Sequence, residues 1–97
     1  MTEFELHLLA EEEMNEAALF YAARVPGLGD EFLDEIARCF DRISTHPKSG
    51  QVCFRRFRRL PVARFPFVVV YEFVANGILV VAVAHQRRRP GYWRRRT

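Results

Sequence analysis

The chain has 97 residues, 49% hydrophobic and 28% charged, a balance that suits one globular domain over residues 1–97 with a single core and excludes a disordered chain. Net charge is only +3, yet nearly all acidic residues precede Asp41 and most arginines follow Arg55, so a polarised surface is expected, open to an acidic protein segment or a nucleic acid alike. No apolar run reaches the roughly 18 residues of a membrane span, since even Phe65 to Ala84 is broken by Glu72 and Asn76-Gly77. No membrane partner is therefore expected. Met1-Thr2-Glu3-Phe4-Glu5 lacks the basic flank of a secretory signal, which points to the cytoplasm.

Taken in order, Phe4-Glu5-Leu6-His7-Leu8 alternates apolar and polar with the period of a half-buried strand, and places His7 outward without a role. Glu11-Glu12-Glu13 then puts three carboxylates where the positive end of a helix dipole favours them, so a helix is expected to start there. Its apolar stripe runs through Met14, Ala17, Ala18, Tyr21, Ala22 and Val25 to Pro26-Gly27. Leu19 and Phe20 widen it, either as more core or as an apolar patch that docks a partner. Asp30 is placed to cap a second helix with the stripe Phe32, Leu33, Ile36, Ala37, Phe40 and Ile43, ended by His46-Pro47 and Gly50. Asp34, Glu35, Arg38, Asp41 and Arg42 read as its solvated side.

Gln51 to Leu60 reads as a loop and short strand in which Phe54, Phe57 and Leu60 interleave with Arg55, Arg56, Arg58 and Arg59. A long strand, Phe65 to Ala75, follows, then Asn76-Gly77, then Ile78 to His85. The Asn-Gly pair predicts a type I′ hairpin turn. Its register sets Ala75 against Ile78, Tyr71 against Ala82 and Val69 against Ala84, giving an aromatic and alanine face for the helices and leaving the Glu72 and His85 face partly open. The end, His85 to Arg96, is a second arginine cluster that includes Tyr92 and Trp93. The resulting fold class is α+β: an N-terminal strand, then a helical hairpin on one face of a small antiparallel sheet with a three-strand C-terminal meander. Cys39 and Cys53 form no disulfide framework, and the scattered histidines complete no metal-ligand cluster with them. Neither a metal nor a cofactor is expected.

The helical hairpin ending Ser44-Thr45-His46-Pro47-Lys48-Ser49-Gly50, Arg58 followed by Arg64-Phe65-Pro66-Phe67-Val68-Val69-Val70-Tyr71, and Val81-Ala82-Val83-Ala84-His85-Gln86-Arg87-Arg88 with Pro90 and Trp93 after it together resemble the RelE/ParE superfamily of toxins from bacterial type II toxin–antitoxin systems. The resemblance covers essentially the whole chain. It implies a growth-inhibiting toxin neutralised by a cognate antitoxin whose C-terminal segment wraps around it. RelE-like members cut messenger RNA on the ribosome; ParE-like members bind DNA gyrase and have lost the catalytic set. For the nuclease pattern, Arg58 or Arg59 matches a basic position, Tyr92 falls where a C-terminal tyrosine would lie, and Arg87 or Arg88 matches the arginine after the last strand. Val68 departs from it, because nuclease members tend to carry an arginine three residues before the strand tyrosine, here Tyr71. His85-Gln86-Arg87 looks more like the ParE side.

Three readings result. The first is a toxin acting by binding, on gyrase, with Arg56, Arg59, Arg87, Arg88 and Trp93 as target contacts and Leu19 and Phe20 against the antitoxin. The second is a ribosome-dependent endoribonuclease using His85, Arg58, Arg87 and Tyr92 as base, cations and acid. The third is a nucleic-acid-binding module, because arginines interleaved with aromatics suit single strands.

Overall fold

The structure, a computed structural model, describes residues 3–97. The elements are β1 (Glu3–Leu6), α1 (Leu8–Arg24), α2 (Leu28–Thr45), β2 (Gln51–Cys53), β3 (Phe57–Pro61), β4 (Phe67–Val74) and β5 (Gly77–His85), with a closing 3-10 turn at Arg94–Arg96. The strands make one sheet in the order β1-β5-β4-β3-β2. The fold class is α+β with the helical hairpin on one face, as expected. β1 joins β5 in parallel, so the sheet is mixed. Gln51 to Leu60 holds two strands instead of one. They turn at Phe54 and Arg55, at φ 47° and 63°, and the meander therefore has four strands.

Both helices start earlier than their acidic residues suggest. The His7 side chain caps α1, its Nδ1 accepting the Leu9 N–H at 3.0 Å, which ends β1 at Leu6 and gives His7 a structural job. α2 starts at Leu28 behind Gly27, whose φ of 85° suits glycine. The helices cross closely at Gly29, where a Cβ would lie 2.5 Å from the Ala18 carbonyl oxygen. Glu35, expected in solvent, is buried and paired with Arg38 at 3.0 Å and Arg64 at 3.7 Å.

The hairpin register differs from the Asn-Gly expectation. Val74 pairs Gly77, so Ala75 and Asn76 form the loop, and neither Asn76 nor Gly77 has a positive φ. Gly77 serves a different need: a Cβ there would lie 1.9 Å from the Glu3 carbonyl oxygen, so the glycine admits β1. Further along, Tyr71 pairs Val80 while Val70 pairs Ala82, leaving Val81 as a bulge. One extra residue reverses which side chains of β5 face inward from Val81 onward. Ile78 and Val80, before the bulge, lie under the helices as expected, and Val83, after it, joins them there with Val69, Tyr71 and Phe67. Ala82 and Ala84, expected there, instead lie with Phe57, Val68, Val70 and Val81 on the opposite face.

That second face is closed by Trp93, 4% exposed, which packs edge-on against Phe57 and Phe54 at 4.8 and 5.7 Å. Glu72, expected on a partly open face, is buried there. It is held by Arg56 Nε at 2.6 Å. Tyr71 ties sheet to helix, its hydroxyl donating to the Pro47 carbonyl at 2.6 Å and accepting the Gly50 N–H at 3.0 Å.

Candidate functional site

The second half of β5 lies beyond the reach of β1, whose pairing stops at Val80. Its free backbone groups are met by side chains: Glu13 Oε1 accepts the Val83 N–H at 3.0 Å, and Arg96 Nη1 donates to the Val81 carbonyl at 2.9 Å. Glu13 is also the anchor of the C-terminal segment. Its carboxylate accepts both Arg96 Nη groups at 2.9 and 3.0 Å, Arg88 Nη1 at 3.3 Å and the Tyr92 hydroxyl. Arg88 also lies over the Tyr92 ring at 3.7 Å. Burial first, and then the hydrogen bond to Glu13, push the Tyr92 phenol above its ordinary pKa.

Glu13 is the residue that sequence reasoning missed. It stands three and four positions from Ala10 and Ala17, both buried, so it sits on the inward stripe of α1, whereas Glu11 and Glu12 are exposed. That periodicity is the signal that separates it from its neighbours.

The predicted target contacts divide. Arg59, Arg87 and Arg88 are exposed, Arg88 in its pair with Glu13. Arg56 is committed to Glu72 and to the Thr97 hydroxyl, the latter at 3.3 Å. Trp93 is core, and its indole offers a partner almost no surface.

The nuclease candidates divide: His85 and Tyr92 line one cavity of about 330 Å3 together with Arg59 and Arg88, whereas Arg58 lies apart from them. Arg58 donates to the Gly50 and Lys48 carbonyls at 2.8 and 3.3 Å, fastening the loop after α2. It is paired with Tyr71, whereas His85 is paired with Phe67. The two are therefore roughly 13 Å apart along the strands and two strand spacings of about 4.8 Å apart across them. His85 packs edge-on against Phe67 at 5.0 Å, and its Nδ1 accepts the Arg87 N–H at 3.0 Å. Val68 is buried on the face under Trp93, so no cation occupies the position where the nuclease pattern has one. The thiols are no substitute: burial first, then Glu35, push Cys39 up to about 11, and burial raises Cys53.

Comparison with known proteins decides the family. Residues 4–90 match the family model described as the ParE toxin of the type II toxin–antitoxin system parDE. The chain belongs to the ParE toxin family. Among solved structures it is similar to a chain of the "Chromosomal ParDE TA system from P. aeruginosa", with a TM-score of 0.77 and 13% identity over 88% of this chain and 96% of that one, a likeness of fold. No curated protein matches it by sequence.

This ParE-family chain leaves several large apolar side chains of its first helix and the residue after it outside both cores. On α1, Leu19 is 71% and Phe20 51% exposed, and Leu8, Leu9 and Val25 are exposed as well. Of the two readings of Leu19 and Phe20, added core is thereby excluded. Phe20 also lines a cavity of about 300 Å3 between α1 and β5, together with Tyr21, Glu16, Phe67, His85 and Arg88. The apolar surface of α1 and the arginines after β5 thus meet at one edge of the molecule. No helix among the described residues is long and apolar enough to cross a membrane.

Proposed function

We propose that this ParE-family toxin arrests growth by binding DNA gyrase in the cytoplasm and that a cognate antitoxin neutralises it by covering the exposed face of α1. The observation that carries the binding reading is that the cation and the acid of the nuclease set are already engaged inside the fold. Arg58 is spent on loop carbonyls, the Tyr92 hydroxyl on Glu13, and His85 lies two strands away from Arg58. General acid–base cleavage of RNA needs base, cation and acid free to reach one phosphate; here Arg58 and the Tyr92 hydroxyl are both held by other groups, and Val68 stands where the nuclease pattern has a cation. For the antitoxin, an acidic amphipathic segment fits: Leu19 and Phe20 supply apolar area, and Arg87 after β5, exposed and without an ion pair among the described residues, supplies charge.

The test is direct. Purified toxin is expected to inhibit gyrase supercoiling, and transcripts in cells expressing it should keep their ends. His85→Gln removes the titratable ring and Tyr92→Phe the phenol, and both are expected to leave growth arrest within a few-fold of the parent. New transcript ends in induced cells, lost in either folded variant while gyrase stays active, would replace this reading with the ribonuclease one.

A further inference from the structure

The helix-free face of the sheet ends in a cavity of about 710 Å3, between the turn at Phe54–Phe57 and the segment Arg89–Arg95. Arg55, Arg56, Arg89, Arg94 and Arg95 line it. A second cavity, of about 330 Å3, adjoins it across Phe54, Arg89 and Tyr92 and adds Arg59. No acidic side chain lines either one. Arg56 is neutralised by Glu72, but Arg55, Arg59, Arg89, Arg94 and Arg95 have no ion pair among the described residues.

The walls are fixed in place. Phe54 and Arg55 both take left-handed backbone conformations that non-glycine residues disfavour. The Phe54 ring is held between the Trp93 edge and the Arg94 guanidinium, which lies 4.9 Å from its centroid, and Arg94 Nε donates to the Gly91 carbonyl at 3.0 Å. Concave basic walls over a low-dielectric floor focus a positive potential outward, and five uncompensated guanidinium groups favour an anion with several charges.

We propose that this cavity binds the sugar-phosphate backbone of a nucleic acid without reading its bases. An acidic peptide is the alternative with the same charge, and hydrogen bonding separates the two. The lining side chains of the larger cavity are arginines, Phe54, Phe57, Pro90, Gly91 and a Tyr92 whose hydroxyl is engaged. They offer donors and no free acceptor. A phosphodiester chain brings acceptors only, whereas a peptide brings an N–H at each residue that would lose water without gaining a partner. The larger cavity has no amide, Ser or Thr side chain in its walls, so nothing there distinguishes one base edge from another; Gln86 in the adjoining one is the single amide lining either.

The experiment is fluorescence anisotropy of labelled oligothymidylate of about twenty nucleotides with the purified full-length toxin, between 50 and 200 mM salt. Five phosphate contacts to a single strand, at roughly 0.7 per contact, give a slope of log affinity against log salt of about −3.5, a loss of about a hundredfold over that range. Arg89→Ala with Arg95→Ala removes two contacts, and the loss is expected to shrink to about twentyfold. Arg24→Ala with Arg42→Ala takes the same charge from the helices and is expected to leave the slope unchanged. Polyglutamate of equal charge is expected to displace the oligonucleotide only at more than tenfold higher concentration. A slope that Arg89 and Arg95 do not control, an equal fall in the helix variant, or equal displacement by polyglutamate would each overturn the proposal. Gyrase is absent from the measurement, so a toxin that binds oligothymidylate and not gyrase would keep this inference and lose the target named above.

Discussion

At the scale of single residues, Glu13 has the widest reach, because one carboxylate satisfies a strand amide, a phenol and two guanidinium groups from the other end of the chain. Each of those hydrogen bonds has a charged acceptor, and such bonds contribute about 1.5–3 kcal/mol where they are sheltered. Tyr92→Phe removes one and is expected to lower stability by about that amount at pH 7. The pH dependence carries a sign. The Tyr92 phenol is raised above its ordinary pKa by burial and by Glu13, so the folded state holds the proton more tightly than the unfolded one. Its contribution is complete below the unfolded value of about 10 and is lost as pH rises through the folded value. Chemical unfolding of parent and variant should therefore converge above about pH 10. Tyr21, also raised by burial, leaves a shallower fall in the variant. A gap between the two proteins that stayed constant from pH 8 to 11 would show that the folded state does not raise the phenol.

At the scale of elements, the helices, the sheet-forming segments and their order are legible because periodicity and breakers such as Pro26-Gly27 and His46-Pro47 are local. What is not legible depends on contacts distant in sequence. The bulge at Val81 follows from how β4 and β5 pair, and it moved Ala82 and Ala84 from the helix side to the Trp93 side. Likewise, Gly77 seemed to serve its own turn and instead makes room for Glu3. Of the side chains read as contacts, the exposure of Leu19 and Phe20 follows from their place off the inward stripe of α1, whereas the burial of Trp93 depends on Phe54 and Phe57, distant in sequence. For α1 the consequence can be measured. Covering Leu19 and Phe20 is worth about 1.5–3 kcal/mol each, so replacing both with serine should weaken antitoxin binding at least tenfold. The melting temperature should hold, because neither side chain belongs to a core cluster. Unchanged affinity would move the antitoxin interface off this helix.

At the scale of the whole molecule, the last residues join two functions that a simple truncation would confuse. Residues 91–97 carry Arg94 and Arg95 at the basic cavity, and also Trp93 over the second core and Arg96 on Glu13. Removing them would expose Val68, Val70, Ala82 and Ala84 and leave Glu13 sheltered with fewer cations. Loss of a buried tryptophan alone costs about 3–5 kcal/mol, and in a chain of 97 residues each kcal/mol lowers the melting temperature by about 4–8 °C. A chain ending at Pro90 is therefore expected to melt more than about 12 °C below the parent, and its loss of toxicity would say nothing about contact with a target. Arg94→Glu with Arg95→Glu separates the two roles. Both side chains are exposed and without ion pairs among the described residues, and Arg94 gives up only its contact with the Phe54 ring and its hydrogen bond to the Gly91 carbonyl, together about 1 kcal/mol, so the double variant should melt within about 8 °C of the parent while reversing the charge of the cavity rim. If the basic face carries toxicity, this stable variant loses growth arrest. Full arrest by the charge-reversed protein, alongside failure of the truncated one, would assign the C-terminal segment a purely structural role.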